Sequence, residues 1–249
     1  MNFLSSKKDF LLISMMLTLF GMIYAEERVI LIHGMGRHGT SMKHISRSIT
    51  EHFEDISVCS VDYDSSSLNF FESLIYLENY IENDYITHPN VTKYHIVGHS
   101  IGGMLGLHIA KHMTPRLLGS MVCLGSPFLG SPWLIPNGFV TETIFYPCYG
   151  QLAQDIANCE RIYPSIKPSD LLLIAGNYCP DGICNLSWLL FNVESCDRQS
   201  DCLVSVESAT AYPCKKSVIY PVTHEGLLSD RAVLDEIVNW IAEHREKKQ

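Results

Sequence analysis

The sequence predicts an α/β protein with one mainly parallel sheet and helices on both faces. Three observations carry that expectation. Short β-branched runs alternate with longer segments whose apolar residues recur at helical spacing, the pattern of βαβ units. The chain has 249 residues, 47% hydrophobic and 18% charged, enough to bury one sizeable core. At the centre of the order, a serine flanked by glycines stands where one strand-like run gives way to a helix-like one.

Taken in order, Arg28–Ile32 is the first strand, and after a polar loop Ile45–Phe53 is a helix. Ile56–Tyr63 alternates apolar and polar residues as a strand does, and Leu68–Ile86 carries apolar residues at helical spacing. Lys93–Val97 is a strand, Ile101–Met113 a helix and Leu117–Leu124 a strand. The rhythm then breaks, because prolines 127, 132, 136 and 147 punctuate a segment rich in aromatic and aliphatic residues. It resumes with the strand Asp170–Ala175, breaks again through a cysteine-rich stretch, and closes with the strand Ser217–Val222 and an amphipathic helix from Arg231 to His244. The expectation is a single domain over 26–249 with insertions at about 127–150 and 177–202, and no internal repeat.

Ahead of that domain, Lys7-Lys8 precede an apolar run from Phe10 to Tyr24 that ends at Ala25 and meets Glu26-Glu27. This is the layout of a signal peptide over 1–25, so the chain reads as exported, to the periplasm or outside the cell. The run falls short of the ~20 residues that span a bilayer comfortably. A net charge of -9 without a Lys/Arg run gives no cationic surface for a nucleic acid.

Nine cysteines follow the apolar run. Cys123 lies in Met121-Val122-Cys123-Leu124 and reads as a buried free thiol, which leaves an even number for disulfides. Cys179/Cys184 and Cys196/Cys202 are close enough in sequence to staple a loop, although spacing does not determine connectivity. None of the spacings is the CxxC of a zinc site, and no metal or organic cofactor is expected. The oligomeric state has no signature in the sequence.

Gly98-His99-Ser100-Ile101-Gly102-Gly103 carries the chemistry. A strand that turns sharply into a helix crowds any Cβ, so glycines two residues either side of Ser100 fit a strained corner that projects its hydroxyl. Ser100 is the candidate nucleophile, with His99 beside it expected to be turned away. A tetrahedral oxyanion needs backbone donors, and the amide of Ile101 opens the helix. The Met35 amide is the natural second donor, in Ile32-His33-Gly34-Met35-Gly36 just past the first strand.

Among eleven histidines, His224 is the best base, because it lies just past the last strand at the sheet edge where ligands bind. His108 and His112 are four apart on a helix but lack the glutamate of a zinc-protease HExxH, and read as packed or solvated. The acid should lie between Ser100 and His224. Asp201 is favoured because an apolar clamp follows it; Asp181, in a Cys-Pro-Asp-Gly turn, is the alternative. Asp170 opens a strand at the wrong end of the sheet, and Asp197 and Glu207 complete the candidates.

These motifs in this order, His33-Gly34-Met35-Gly36, Gly98–Gly103, Gly125-Ser126-Pro127-Phe128-Leu129-Gly130-Ser131, Asp201-Cys202-Leu203-Val204-Ser205 and His224-Glu225-Gly226-Leu227-Leu228, resemble the lipase branch of the α/β-hydrolases. The resemblance spans nearly the whole chain after residue 25. It implies the α/β-hydrolase fold with an apolar lid insertion, a Ser100–Asp201–His224 triad, and Met35 and Ile101 as oxyanion donors. It also implies a serine carboxylester hydrolase of the lipase or esterase kind, with lipid or small acyl esters as substrates and transient contact with a lipid surface. A palmitoyl-type thioesterase or an acyltransferase would use the same triad, and an inactive binding protein would have lost part of it. Cys202 departs from the glycine usual in such lipases, and Ser205 from the proline often found there; a disulfide at Cys202 would pin the acid loop.

Overall fold

The computed structural model describes residues 26–131, 143, 150–152, 155, 170–180 and 199–245. In chain order the elements are β1 (Glu26–Ile32), α1 (Lys43–His52), β2 (Ile56–Val61), α2 (Phe70–Thr87), β3 (Val91–His99), α3 (Ile101–His112), β4 (Leu118–Leu124), β5 (Leu171–Gly176), α4 (Val206–Ala209), β6 (Lys216–Tyr220) and α5 (Arg231–His244). The six strands form one sheet in the order β2-β1-β3-β4-β5-β6, every pair parallel. This is the doubly covered parallel sheet that the alternation predicts.

Parallel strands are buried on both faces and so read as continuous apolar runs. In β1 successive side chains serve opposite layers: Ile30 and Ile32 join the core under α2 and α3, while Val29 and Leu31 join the core under α1 and α5. Leu74, Leu77 and Ile81 of α2 and Leu105 and Ile109 of α3 close the first layer. Ile45 and Ile49 of α1, with Val233, Ile237 and Trp240 of α5, close the second. Each such side chain removed from water contributes roughly 1.5–3 kcal/mol.

Caps fix where the helices begin. The Asn69 side chain accepts from the Glu72 amide while Glu72 reaches back to the Asn69 amide, a reciprocal capping box for α2. The Asp230 carboxylate accepts from Ala232 and Val233 at the start of α5. Predicted and observed bounds differ by one or two residues. The sequence expectation overruns the end of β2, where Asp62 and Tyr63 already turn toward the next loop, and understates β3, which stays extended through Gly98 and His99.

Two buried polar clusters sit at the N-terminal end of the sheet. Arg28 donates to Asp84 (2.8 Å) and to Glu26 (3.0 Å), and Tyr94 donates its hydroxyl to the other Asp84 oxygen (2.8 Å), which joins α2 to β1 and β3. Beside it, His95 lies between Ser120 (2.8 Å) and Glu27 (3.3 Å), and Arg245 at the end of α5 donates to the same Glu27 oxygen (3.0 Å). A carboxylate only accepts, so the His95 Nε2–H donates to Glu27 and Nδ1 receives the Ser120 hydroxyl. His95 and Ser120 are wholly buried.

Most of both expected insertions, and the expected signal peptide, lie outside the described residues. No helix among the described residues is long and apolar enough to cross a membrane.

Candidate active site

Because every strand is parallel, all the strand C-termini share one edge. The chain leaves β1 toward β2 and leaves β3 toward β4, so the strand order reverses between β1 and β3, where α/β proteins bind ligands. His33 and Gly34 follow β1 there, and Ser100 follows β3; Ile32 pairs with Gly98 in register.

Ser100 has φ 56° and ψ -127°, one of two non-glycine residues with positive φ among those described. A β-carbon on Gly102 would meet the backbone of Ile32 and His33, and one on Gly98 would meet that of Gly102 and Gly103. The elbow therefore tolerates no side chain on either flank, and the strain falls on the serine. The Ser100 amide donates to the Leu124 carbonyl (2.8 Å), tying the corner to β4.

Before it, the loop after β1 is held by His33 in a role the sequence reading missed. Its ring stacks on Tyr63 (centroids 4.4 Å apart), Nδ1–H donates to the Gly34 carbonyl (2.8 Å), and Nε2 faces the Tyr63 amide (3.4 Å). Tyr63 returns a hydroxyl bond to the His33 carbonyl (3.0 Å), and Gly36 donates to Ser65 (3.0 Å). Burial, more than any partner, pushes the His33 imidazole below its usual range, which keeps this tautomer neutral. Met35 sits between the anchored Gly34 and Gly36, and Ile101 opens α3 directly after Ser100.

Asp201 and His224 meet directly. The Nδ1–H of His224 donates to Asp201 Oδ2 (2.7 Å), with both residues buried. The other carboxylate oxygen accepts from the amides of Leu203 (3.0 Å) and Val204 (2.7 Å). The backbone repeats the link, since the His224 amide donates to the Asp201 carbonyl (2.9 Å). Beneath them Gly125, at φ +55°, leaves room that a β-carbon would take from Asp201 Oδ2 and His224 Nδ1, each 3.0 Å from it. That glycine lies in the motif after β4, and its closeness to the pair was not legible from spacing.

Two of the rival acids stand elsewhere. Asp170 precedes β5 at the opposite end of the sheet, as expected, and Glu207 is an exposed residue in the first turn of α4. Asp181 and Asp197 lie outside the described residues. His108 packs edge-on against Phe70, and His112 pairs with Glu78 (2.8 Å).

The connectivity that spacing left open is Cys179 to Cys202, so Cys202 is not joined to its sequence neighbour Cys196. Cys179 follows the end of β5, and the sheet brings that end against the acid loop, a proximity set by topology rather than by distance along the chain. Cys202 carries the second positive φ, 84°, where glycine would be unstrained. Cys123 is a free and buried thiol, as expected, and burial raises its pKa.

His99 also differs from expectation. Its ring is not turned away from the site but packs on His224, with centroids 4.5 Å apart, and its Nε2–H donates to the His224 carbonyl (3.0 Å). On the open side, Arg37 forms an ion pair with Glu225, bridging the loops after β1 and β6. A polar depression of about 350 Å³ lies beside it, lined by Arg37, His38, Asp62 and Asp64.

No protein-family model matches the chain, and no curated protein matches it in sequence. Solved structures match over most of its length. The mature form of Bacillus licheniformis lipase BlEst2 aligns with a TM-score of 0.65 at 11% identity, over 88% of this chain and 93% of that one. RedJ, a thioesterase of the prodiginine pathway in Streptomyces coelicolor, aligns at 0.54 and 14% identity over 96% and 97%. Phospholipase PlaB from Legionella pneumophila aligns at 0.65 and 12% identity, over 86% of this chain and 58% of that one. With the six-stranded parallel sheet, these likenesses establish the α/β-hydrolase fold.

Proposed function

We propose that this chain is a serine hydrolase of carboxylic esters, of the lipase or esterase kind, with Ser100 as nucleophile, His224 as base and Asp201 as the acid that orients it. The observation that carries the reading is the buried 2.7 Å contact between Asp201 and His224, at the same sheet edge as a serine strained into the left-handed region. A carboxylate that accepts the Nδ1–H fixes the imidazole tautomer and leaves the Nε2 lone pair free to receive a proton.

In the proposed reaction His224 Nε2 takes the Ser100 hydroxyl proton as Oγ attacks the acyl carbonyl carbon. The oxyanion accepts from the amides of Met35 and Ile101. When the tetrahedral intermediate collapses, the C–O bond to the alcohol breaks and the leaving oxygen takes the proton from His224. Water, deprotonated by His224, then attacks the acyl-enzyme; the second collapse releases the carboxylic acid and returns the proton to Ser100. Asp201 stays ionised and stabilises the imidazolium throughout. This site requires no metal or organic cofactor for these steps.

We propose acyl esters of lipids as the substrate class, on the resemblance of the ordered motifs to lipases and on the apolar composition of the 127–150 segment. A thioester would pass through the same steps, and both lipases and a thioesterase share this fold. Export is part of the proposal, supported by the signal-like residues 1–25 and by the Cys179–Cys202 disulfide, which an oxidising compartment maintains.

The test is turnover of p-nitrophenyl esters of increasing chain length beside matched acyl thioesters, with labelling by a fluorophosphonate. Wild type should hydrolyse the esters and take the label on Ser100, and Ser100→Ala should do neither. Turnover by Ser100→Ala at the wild-type rate sinks the mechanism, and preference for thioesters moves the substrate class.

A further inference from the structure

Resting on the ester-hydrolase reading, we infer that His99 is a positioning residue for the reaction: one buried imidazole holds the base loop against the nucleophile corner and the loop after β1. Strand alternation explains its direction. His99 is the last residue of β3 and faces the same layer as Val97, the layer that Leu227 and α5 fill. Its side chain therefore enters the β6–α5 connection that carries His224.

Three contacts converge on that ring. Its Nε2–H donates to the His224 carbonyl (3.0 Å), and its ring lies against the His224 ring at a 47° tilt, with centroids 4.5 Å apart. Its Nδ1 side borders Gly34, where a β-carbon would lie 3.2 Å from Nδ1 and 3.0 Å from the Ser100 β-carbon. The three loops that carry the proposed nucleophile, base and oxyanion donor thus share one neighbour.

The bond to His224 also fixes the state of His99. A carbonyl accepts only, so Nε2 keeps the proton and Nδ1 is a bare acceptor, buried and without a hydrogen-bond partner among the described residues. Burial first, and the neighbouring His224 second, hold His99 far below the usual imidazole range and neutral. An orphaned ring nitrogen is a poor choice for filling space, since an aliphatic side chain would fill it without that cost. What the imidazole supplies, and an aliphatic chain does not, is the N–H to His224. Asp201 holds the His224 ring from Nδ1 and holds its amide; His99 holds its carbonyl and its face. Together they leave His224 little freedom to swing its Nε2.

Gln and Met make a matched pair for the experiment, being of similar length, with only Gln able to place an N–H where Nε2 stands. Turnover per site, counted by the p-nitrophenol burst, should stay within about tenfold of wild type in His99→Gln and fall about 10²-fold in His99→Met, the cost of a misplaced reacting group, with KM unchanged in both. The downfield imidazole N–H proton signal of His224 reads the same geometry without turnover. It should persist in wild type and His99→Gln, and broaden away in His99→Met. Should His99→Met not fold, His99→Asn replaces it, since its amide is too short to reach the carbonyl. Wild-type kcat and an intact downfield signal in Met or Asn overturn the inference, as does equal loss in Gln and Met. Wild type that neither turns over nor labels on Ser100 overturns the hydrolase reading instead, and the proton signal alone then decides His99.

Discussion

Asp201 and His224 are joined twice, once by side chains at 2.7 Å and once by the His224 amide on the Asp201 carbonyl at 2.9 Å. The side-chain bond sets the imidazole tautomer, while the backbone bond sets the distance between the two loops. Removing the carboxylate charge should therefore spoil chemistry while leaving the loops in place.

Asp201→Asn is expected to lower kcat about 10⁴-fold on p-nitrophenyl esters, the scale of losing the orienting acid in a serine triad, with little change in KM. Asp170→Asn, at the other end of the sheet, should leave kcat unchanged. If Asp201→Asn stays active and Asp181→Asn does not, the acid belongs to Asp181.

The Cys179–Cys202 bond closes a loop across a sequence separation of 23. Chain entropy assigns such a closure about 3 kcal/mol, so Cys179→Ser should lower Tm by about 6–12 °C and slacken the acid loop enough to reduce kcat. Position 202 has a second effect, because its φ of 84° strains any residue with a β-carbon. Cys202→Gly should therefore be about 1 kcal/mol more stable than Cys202→Ser, although both lose the disulfide. Equal Tm values for the two would remove the strain argument.

At the base of the sheet, Arg28 and Asp84 form a pair with side chains only 9% and 7% exposed. Asp84→Asn leaves the buried guanidinium with Glu26 as its remaining carboxylate partner and should cost about 1.5–3 kcal/mol in urea unfolding. Tyr94→Phe removes only a hydroxyl donor to Asp84 and should cost about 1 kcal/mol. The order of the two variants is the check.

His95 is held below its usual range mainly by burial, which outweighs the pull of Glu27. An imidazole depressed in the folded state binds its proton more readily when unfolded. Its contribution is thus present above the unfolded pKa of about 6.5 and is lost as pH falls from there through the folded value, at about 1.4 kcal/mol per unit of depression. Tm of wild type should drop faster than that of His95→Gln between pH 7 and pH 5. Parallel profiles would exclude His95 as the titrating group.

Much of this architecture is readable from local pattern. The continuous apolar runs of β1, β4 and β5 announce strands buried on both faces, and α5 begins at Arg231 because Asp230 caps it. The corner at Ser100 is equally local, since Gly98 and Gly102 are two residues away and their crowding is steric. What sequence order hides is contact made across the sheet. Cys179 meets Cys202 because β5 delivers it to the acid loop, and Gly125 lies under Asp201 and His224 because β4 ends there. The tight corner alone turns His99 away from Ser100, whereas its parity with Val97 points it toward His224.

The parallel strand order has a kinetic consequence. With no hairpin among the described strands, each of their pairings closes a crossover, and such non-local closures make folding slow. The central strands β1 and β3 bring Gly34 and Ser100 together early in the chain, but His224 follows β6, the outermost strand on the other side. A growing or half-folded chain can thus hold a bent serine loop with no base beside it. On the proposed reading, Ser100 would gain its base last, when the C-terminal strand and helix dock.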